Sequence, residues 1–212
     1  MPRKKYSNTK IDKNPEAFYK AVLSAFVKTG YRRTTMNDIA VATDMSRPAL
    51  YQIYKNKEDI WNTGMLFFVD RAYKKAISTL SKRGSILTRF TEALPNFEGI
   101  YYEPMAKSPY ALELIDTSTR LDASASTLKK GRSDFKKALL KTLKEAENRR
   151  EISFKDMSVK PVVFVHMLFT TLMALKYQDT LTKGTMDMSV KECRRRNSGI
   201  IEVFLRSIIT PK

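Results

Sequence analysis

Residues 30–58 run GYRRTTMNDIAVATDMSRPALYQIYKNKE, and three helix starts stand out in them. Thr35 with Asp38 three residues on is a capping-box pair. Ser46 caps the next helix, with Pro48 at its second position, where a missing N–H costs nothing. Asn56 caps a further helix, and Glu58 and Asp59 place carboxylates at the positive end of its dipole. Between the first two starts, Thr43-Asp44-Met45 makes a tight turn. Helices this short are marginal alone and must hold one another. Ile39, Ala40, Met45, Leu50 and Tyr54 are the residues to do so, Ala40 being small enough to let the pair cross closely. Two short helices joined by a tight turn have the form of a helix-turn-helix, whose second helix enters the DNA major groove.

Outward from this stretch the helical period continues, and no run alternates as a strand would. Asn14-Pro15 opens a first helix with Phe18, Val22, Ala25 and Phe26 along one face, and Gly30 ends it. The basic start, with Arg3, Lys4 and Lys5, reads as a flexible arm over residues 1–13. The helix after Asn56 extends from Lys57 to about Leu80, and Ser85 caps a short one ending at Pro95. Three prolines and Gly99 make 95–109 kinked or loop-like. Ser108-Pro109 opens a helix to about Leu128, and Gly131 separates it from an amphipathic stretch, Ser133 to Arg149. Ser158 caps an apolar helix through Tyr177, and a last helix covers about Met188 to Ile209. The expectation is an all-α chain: an N-terminal three-helix helix-turn-helix domain over 1–57, then a helical domain over 58–212.

Composition removes most enzyme classes. Among 212 residues there is one cysteine, Cys193, which fits a reducing compartment, and one histidine, His166. His-rich metal sites and most His-dependent triads are thereby disfavoured. The seven glycines are too widely spaced for a phosphate loop or dinucleotide fingerprint. No catalytic residue, metal site or cofactor is expected. The start has no apolar core of a signal peptide. The most apolar stretch, Val162 to Leu175, is interrupted by His166, Thr170 and Thr171 and falls short of the roughly 20 residues of a membrane span. It reads as a buried helix with His166 as a hydrogen-bonded core residue, and the protein as cytoplasmic. The 39 Lys+Arg against 22 Asp+Glu leave a net charge of +17, which invites a polyanion. With 12 basic and 6 acidic residues in the first 60, that charge is spread too evenly to locate a site.

The run from Gly30 to Ala40 and from Ser46 to Glu58 closely resembles the TetR family of bacterial transcriptional regulators, a likeness covering roughly residues 14–65. Two departures are Asp44, where the family often has Gly, and Tyr54, where Phe is usual. The resemblance implies an all-α homodimer that reads double-stranded, palindromic operator DNA and carries a C-terminal domain for a small-molecule effector. It implies that Thr35 gives its backbone N–H and hydroxyl to a phosphate at the start of the second helix, with Ser46 at the start of the third. Arg47, Pro48, Ala49 and Gln52 would face base edges, Arg47 suiting guanine, Gln52 adenine, and Pro48 and Ala49 thymine methyls. Tyr51 and Lys57 would meet phosphates.

In the second half, the resemblance implies pairing of the last two helices with those of a second chain in a four-helix bundle. Met65, Phe68, Phe90, Tyr101, Tyr102, Met105, Tyr110, Met167 and Phe169 are the candidates for lining an apolar effector pocket. A repressor released by its effector is the reading adopted. Its rival is an effector-less nucleoid-associated or adaptor protein that brings a protein partner to DNA with the same module.

Overall fold

Side-chain caps set the helix starts of the N-terminal half. The computed structural model describes residues 10–94, 102–119, 126–182 and 190–210. Asn14 accepts from the Ala17 amide to start α2 (Pro15–Thr29). Thr35 and Asp38 close a full capping box on α3 (Met36–Thr43), and Ser46 accepts from Ala49 N to start α4 (Arg47–Ile53). Asn56 accepts from Asp59 N at the head of α5 (Lys57–Leu80). Ahead of them, Lys10–Lys13 form a short helix, α1, where a flexible arm was expected; Arg3, Lys4 and Lys5 lie outside the described residues.

The helices that follow are α6 (Ile86–Ala93), α7 (Tyr102–Ala106), α8 (Ala111–Thr119), α9 (Ser126–Asn148), α10 (Pro161–Thr182) and α11 (Val190–Arg206). The described residues contain no strand beyond an isolated bridge between Ile152 and Ile209, so the all-α expectation is met. No described helix is long and apolar enough to cross a membrane.

The chain packs as two units, one of residues 1–67 with 104–121, the other of residues 68–103 with 122–212. Packing thus divides α5 after Phe67 and adds α8 to the first unit, whereas the 1–57 and 58–212 division follows the motif alone.

In the first unit, Phe18, Val22, Leu23 and Phe26 of α2, Ile39 and Ala40 of α3, Leu50 of α4 and Ile60, Trp61 and Met65 of α5 are all buried. Phe26 and Trp61 meet edge to face at 4.8 Å, and Tyr31 closes on both rings at 5.5 Å. Asp44 takes the left-handed conformation (φ 51, ψ 49), which Asp tolerates better than most residues, so the turn forms without glycine. Tyr54 is buried and its hydroxyl meets that of Tyr19 at 3.0 Å, which satisfies the group that a Phe would lack.

In the second unit, Ala72, Tyr73, Ala76 and Leu80 of α5 pack in one core with Phe90, Phe135, Leu139, Leu143, Phe164, Leu168, Ile201 and Leu205. Buried Arg89 donates to the Leu80 carbonyl at 2.7 Å and to Glu145 at 3.0 Å. The chain end is tied in by Ser153 N to the Ile208 carbonyl and Thr210 N to that of Glu151.

Three expectations for this half are corrected. Gly131 does not separate two helices; α9 runs through it. The helix expected from Ser108-Pro109 to about Leu128 is described as α8 only to Thr119, and residues 120–125 lie outside the described ones. Ser158 does not cap α10, which begins at Pro161 with amides of Val163 and Phe164 returning to the Lys160 carbonyl. His166 is exposed, because α10 buries only the face of Phe164, Val165, Leu168 and Leu172. A helix apolar nearly all round gives no periodic sign of which side faces the core.

Gly131 has a packing reason for being glycine: a Cβ there would lie 2.5 Å from Cδ2 of the buried Tyr73 ring. Gly131→Ala gains helix propensity worth about 1 kcal/mol but overpacks the contact at about 1–3 kcal/mol. The expected net effect is a loss of stability, read as a lower urea midpoint at unchanged slope; a raised midpoint would refute the contact.

Candidate nucleic-acid interface

The α4 helix has one anchor and one free face. Leu50 is fully buried, while Ser46, Arg47, Pro48, Tyr51 and Gln52 are exposed and Ala49 is half-buried. Six of the eight residues expected to contact DNA therefore lie together over the first turn and a half of one short helix. The Tyr51 ring, an apolar surface that packing would bury, remains 49% exposed. Ser46 Oγ accepts from Ala49 N, which leaves its own O–H to donate outward.

Thr35 is exposed, but its donors already have a partner. Its amide reaches Asp38 Oδ2 at 2.8 Å and its hydroxyl the same oxygen at 2.7 Å, so the carboxylate stands where an anion was expected. The Thr35 hydroxyl hydrogen bond first, and its amide second, hold the Asp38 carboxyl below the ordinary aspartate range.

Lys57, too, is hydrogen-bonded within the chain. Its ammonium donates to the carbonyls of Tyr31 at 2.9 Å, Arg32 at 2.7 Å and Thr34 at 3.0 Å, and lies 5.1 Å from the Tyr31 ring centroid. An ammonium has three N–H donors, so all are occupied. Burial, and then the charge of Glu58, push the Tyr31 hydroxyl up.

Two residues from α8 and its approach hold the same turn and have no signal in the motif. Glu113 accepts from the Arg32 amide at 2.6 Å, and the Arg33 guanidinium sits 4.4 Å from the Tyr110 ring centroid. Gly30, at φ +80, is needed twice over: for its left-handed backbone, and because a Cβ would lie 2.7 Å from Glu113 Oε2. A positive-φ glycine ending a helix is readable from sequence; a partner 81 positions away is not.

The nine pocket candidates do not share one environment. Met65 and Met105 are buried in the first unit and Phe68 and Phe90 in the second. Tyr110 is half-buried, Phe169 lies 6.4 Å from Phe135, and Met167 is 45% exposed on α10. Tyr101 and the side chain of Tyr102 lie outside the described residues, as does the side chain of Cys193. None of the nine lines either of two clefts formed by described residues. One, of about 530 Å³, is bounded by Tyr31, Arg32, Glu58, Asn62, Glu113, Asp116 and Thr117. The other, of about 340 Å³, lies between α5 and α9 at Tyr73 and Gly131. The described residues hold no group of three His, Cys, Asp or Glu side chains fit for a metal ion.

Residues 19–62, which hold the α4 face and its supports, match the family model of bacterial regulatory proteins of the tetR family. The chain has the TetR-family fold. A TetR-family regulator structure from Mesorhizobium loti MAFF303099 superposes with TM-score 0.66 at 18% identity, covering 96% of this chain and all of that one. SmeT, the repressor of the Stenotrophomonas maltophilia multidrug efflux pump SmeDEF, gives 0.61 at 16%, over 92% and 90%. FadR of Bacillus subtilis, in complex with stearoyl-CoA, gives 0.60 at 13%, over 91% and 98%. In this TetR-type domain the expected signature residues fall on the exposed face of α4, while Lys57 turns inward.

Asp38 gives a pH test of the capping box. A carboxyl whose folded-state pKa is depressed contributes fully above its unfolded value, about 4, and the contribution is lost as pH falls through the folded value. Thermal melts from about pH 3 to pH 6 should show the unsubstituted protein losing its advantage over Asp38→Asn on the acid side. Parallel curves across that range would show that the carboxylate adds nothing.

Proposed function

We propose that the protein is a cytoplasmic TetR-type repressor, a homodimer that reads a palindromic operator and leaves it when a small-molecule effector binds. The observation that carries this reading is the exposed, mixed polar and aromatic face at the head of α4. Arg47 and Gln52 have the bidentate chemistry for guanine and adenine, and Pro48 and Ala49 the apolar surface for thymine methyls. Tyr51 and Ser46 supply hydroxyls to the phosphates on either side. Thr35 joins them by exchanging Asp38 for a phosphate. Residues 1–57 are thus assigned to DNA and 58–212 to effector binding and dimerisation.

Dimerisation is supported by an apolar face on the last two helices that one chain leaves open. Val162, Val163 and Met167 of α10 and Val203 of α11 are exposed, Val203 by 70%. Large open apolar patches mark association surfaces, and two α10–α11 pairs make a four-helix bundle. Two reading helices about 34 Å apart then meet successive major grooves.

Release needs an effector that prefers the non-binding arrangement by a few kcal/mol, since equal affinity for both shifts nothing. The fold neighbours include a FadR with stearoyl-CoA and the repressor of a multidrug pump, which supports an apolar effector here.

The first test is fluorescence anisotropy against DNA from upstream of the protein's own gene, with scrambled DNA as control, across a salt series. Preference for the upstream DNA is expected. Arg47→Ala should weaken binding by about 1–3 kcal/mol and relax preference at one position of each half-site. Equal binding to both DNAs, vanishing as salt rises, would overturn the regulator reading and favour an adaptor held by charge alone. A second variant, Val163→Asp with Met167→Asp, should sediment as a folded monomer; a persisting dimer would move the interface elsewhere.

A further inference from the structure

We infer that Lys57 is a positioning residue for the reading helix and makes no phosphate contact; this rests on the DNA-binding reading above. All three donors of its half-buried ammonium are taken. The carbonyls of Tyr31, Arg32 and Thr34 take one donor each at 2.7–3.0 Å, and the Tyr31 ring lies alongside. Exchanging this set for one phosphate would break three charge-assisted hydrogen bonds to form one or two. It would also leave three carbonyls of a tight turn to find new donors.

The charge itself is otherwise misplaced. Lys57 is the first residue of α5, where the helix dipole disfavours a cation. Three carbonyl oxygens converging on Nζ offset that conflict. They converge because Gly30, at φ +80, reverses the chain, and the Thr34 hydroxyl and amide both return to the Gly30 carbonyl at 2.6 and 3.1 Å.

What the clamp controls follows from the chain. Thr34 leads directly into Thr35, the N-cap of α3, and α3 packs on α4. The carbonyls of the turn are held by Lys57 from α5, and its Arg32 amide by Glu113 from α8. A displacement of the turn therefore moves the start of α3 and, through it, the face carrying Arg47, Tyr51 and Gln52. Glu113 belongs to the same device: its carboxylate would repel phosphate, so any contribution it makes to DNA affinity must be through the position of the turn.

Arginine separates the two roles. Its guanidinium binds phosphate at least as well as an ammonium does, but a planar fork cannot direct three donors at three converging carbonyls. Operator binding should be measured for the unsubstituted protein, Lys57→Arg, Lys57→Met and Glu113→Gln, each checked for helicity, across a salt series. Positioning predicts that Lys57→Arg and Lys57→Met weaken operator binding alike, by about tenfold, and that Glu113→Gln weakens it too. It also predicts a log–log salt slope unchanged in Lys57→Met. A phosphate contact predicts retained affinity in Lys57→Arg and a slope smaller by about 0.9 per reading head in Lys57→Met, and either result overturns the inference.

On the unsubstituted protein, the ¹⁵N signal of the Lys57 ammonium should keep its shift when operator is added; a new shift at saturation refutes the inference even if every variant misfolds. If the unsubstituted protein fails to prefer operator over scrambled DNA, the regulator reading falls and this inference with it. If that preference holds and Lys57→Arg binds normally, only this inference falls.

Discussion

Helices of eight and seven residues do not hold themselves in water, and α3 and α4 are of those lengths. Everything in the first unit answers that constraint. Each short helix begins on a side-chain cap, which gives one of its otherwise unpaired first-turn amides a partner. Each also contributes a fully buried residue, Ile39 or Leu50, to the core shared with Phe26 and Trp61. The surface that meets solvent is then free to serve another purpose. With Leu50 and the Ser46 cap fixing α4, the outward positions need carry no structural role, which is why Arg47, Gln52 and an exposed Tyr51 ring can coexist there.

The parts of this arrangement that can be read from sequence are those whose cause lies within about four residues. Asn14, Thr35 with Asp38, Ser46 and Asn56 each cap a helix through the amide three positions on, and each was legible. Asp44 was legible for the same reason, since a left-handed turn residue is a local demand. The parts that were not legible have distant causes. Gly131 looks like a helix stop until Tyr73 is known to occupy the space of its side chain. His166 sits in an apolar run that conceals which side is buried. Lys57 carries the family's pattern, and only the path of residues 31–34 reveals where its ammonium goes.

The second half was the least legible, for a related reason. Met and aromatic residues at helical spacing serve a core and a pocket equally well, and sequence does not distinguish them. Of the candidates, Phe68 and Phe90 have no exposed surface, Met105 likewise, and Met167 points out of α10. The clefts at Tyr31 and at Tyr73 are lined by other residues of both charges and by apolar surface.

The first unit is also not a contiguous piece of sequence. The segment that joins the first unit from residue 104 onward carries α8, with Leu114 and Ile115 fully or nearly buried, and ahead of α8 Ser108 donates to the Val27 carbonyl at 2.6 Å. Glu113 and Tyr110 then reach the turn at Gly30 from the opposite side to Lys57 in donor and acceptor terms: one supplies acceptors and a ring, the other donors. A helix-turn-helix held only by its own residues would be indifferent to events elsewhere in the chain. This one takes part of its support from a helix some eighty positions downstream, so a change that displaces α8 removes a hydrogen bond and a cation–ring contact from the turn that starts α3. The coupling needs no long pathway, because the two elements to be coupled already share the turn.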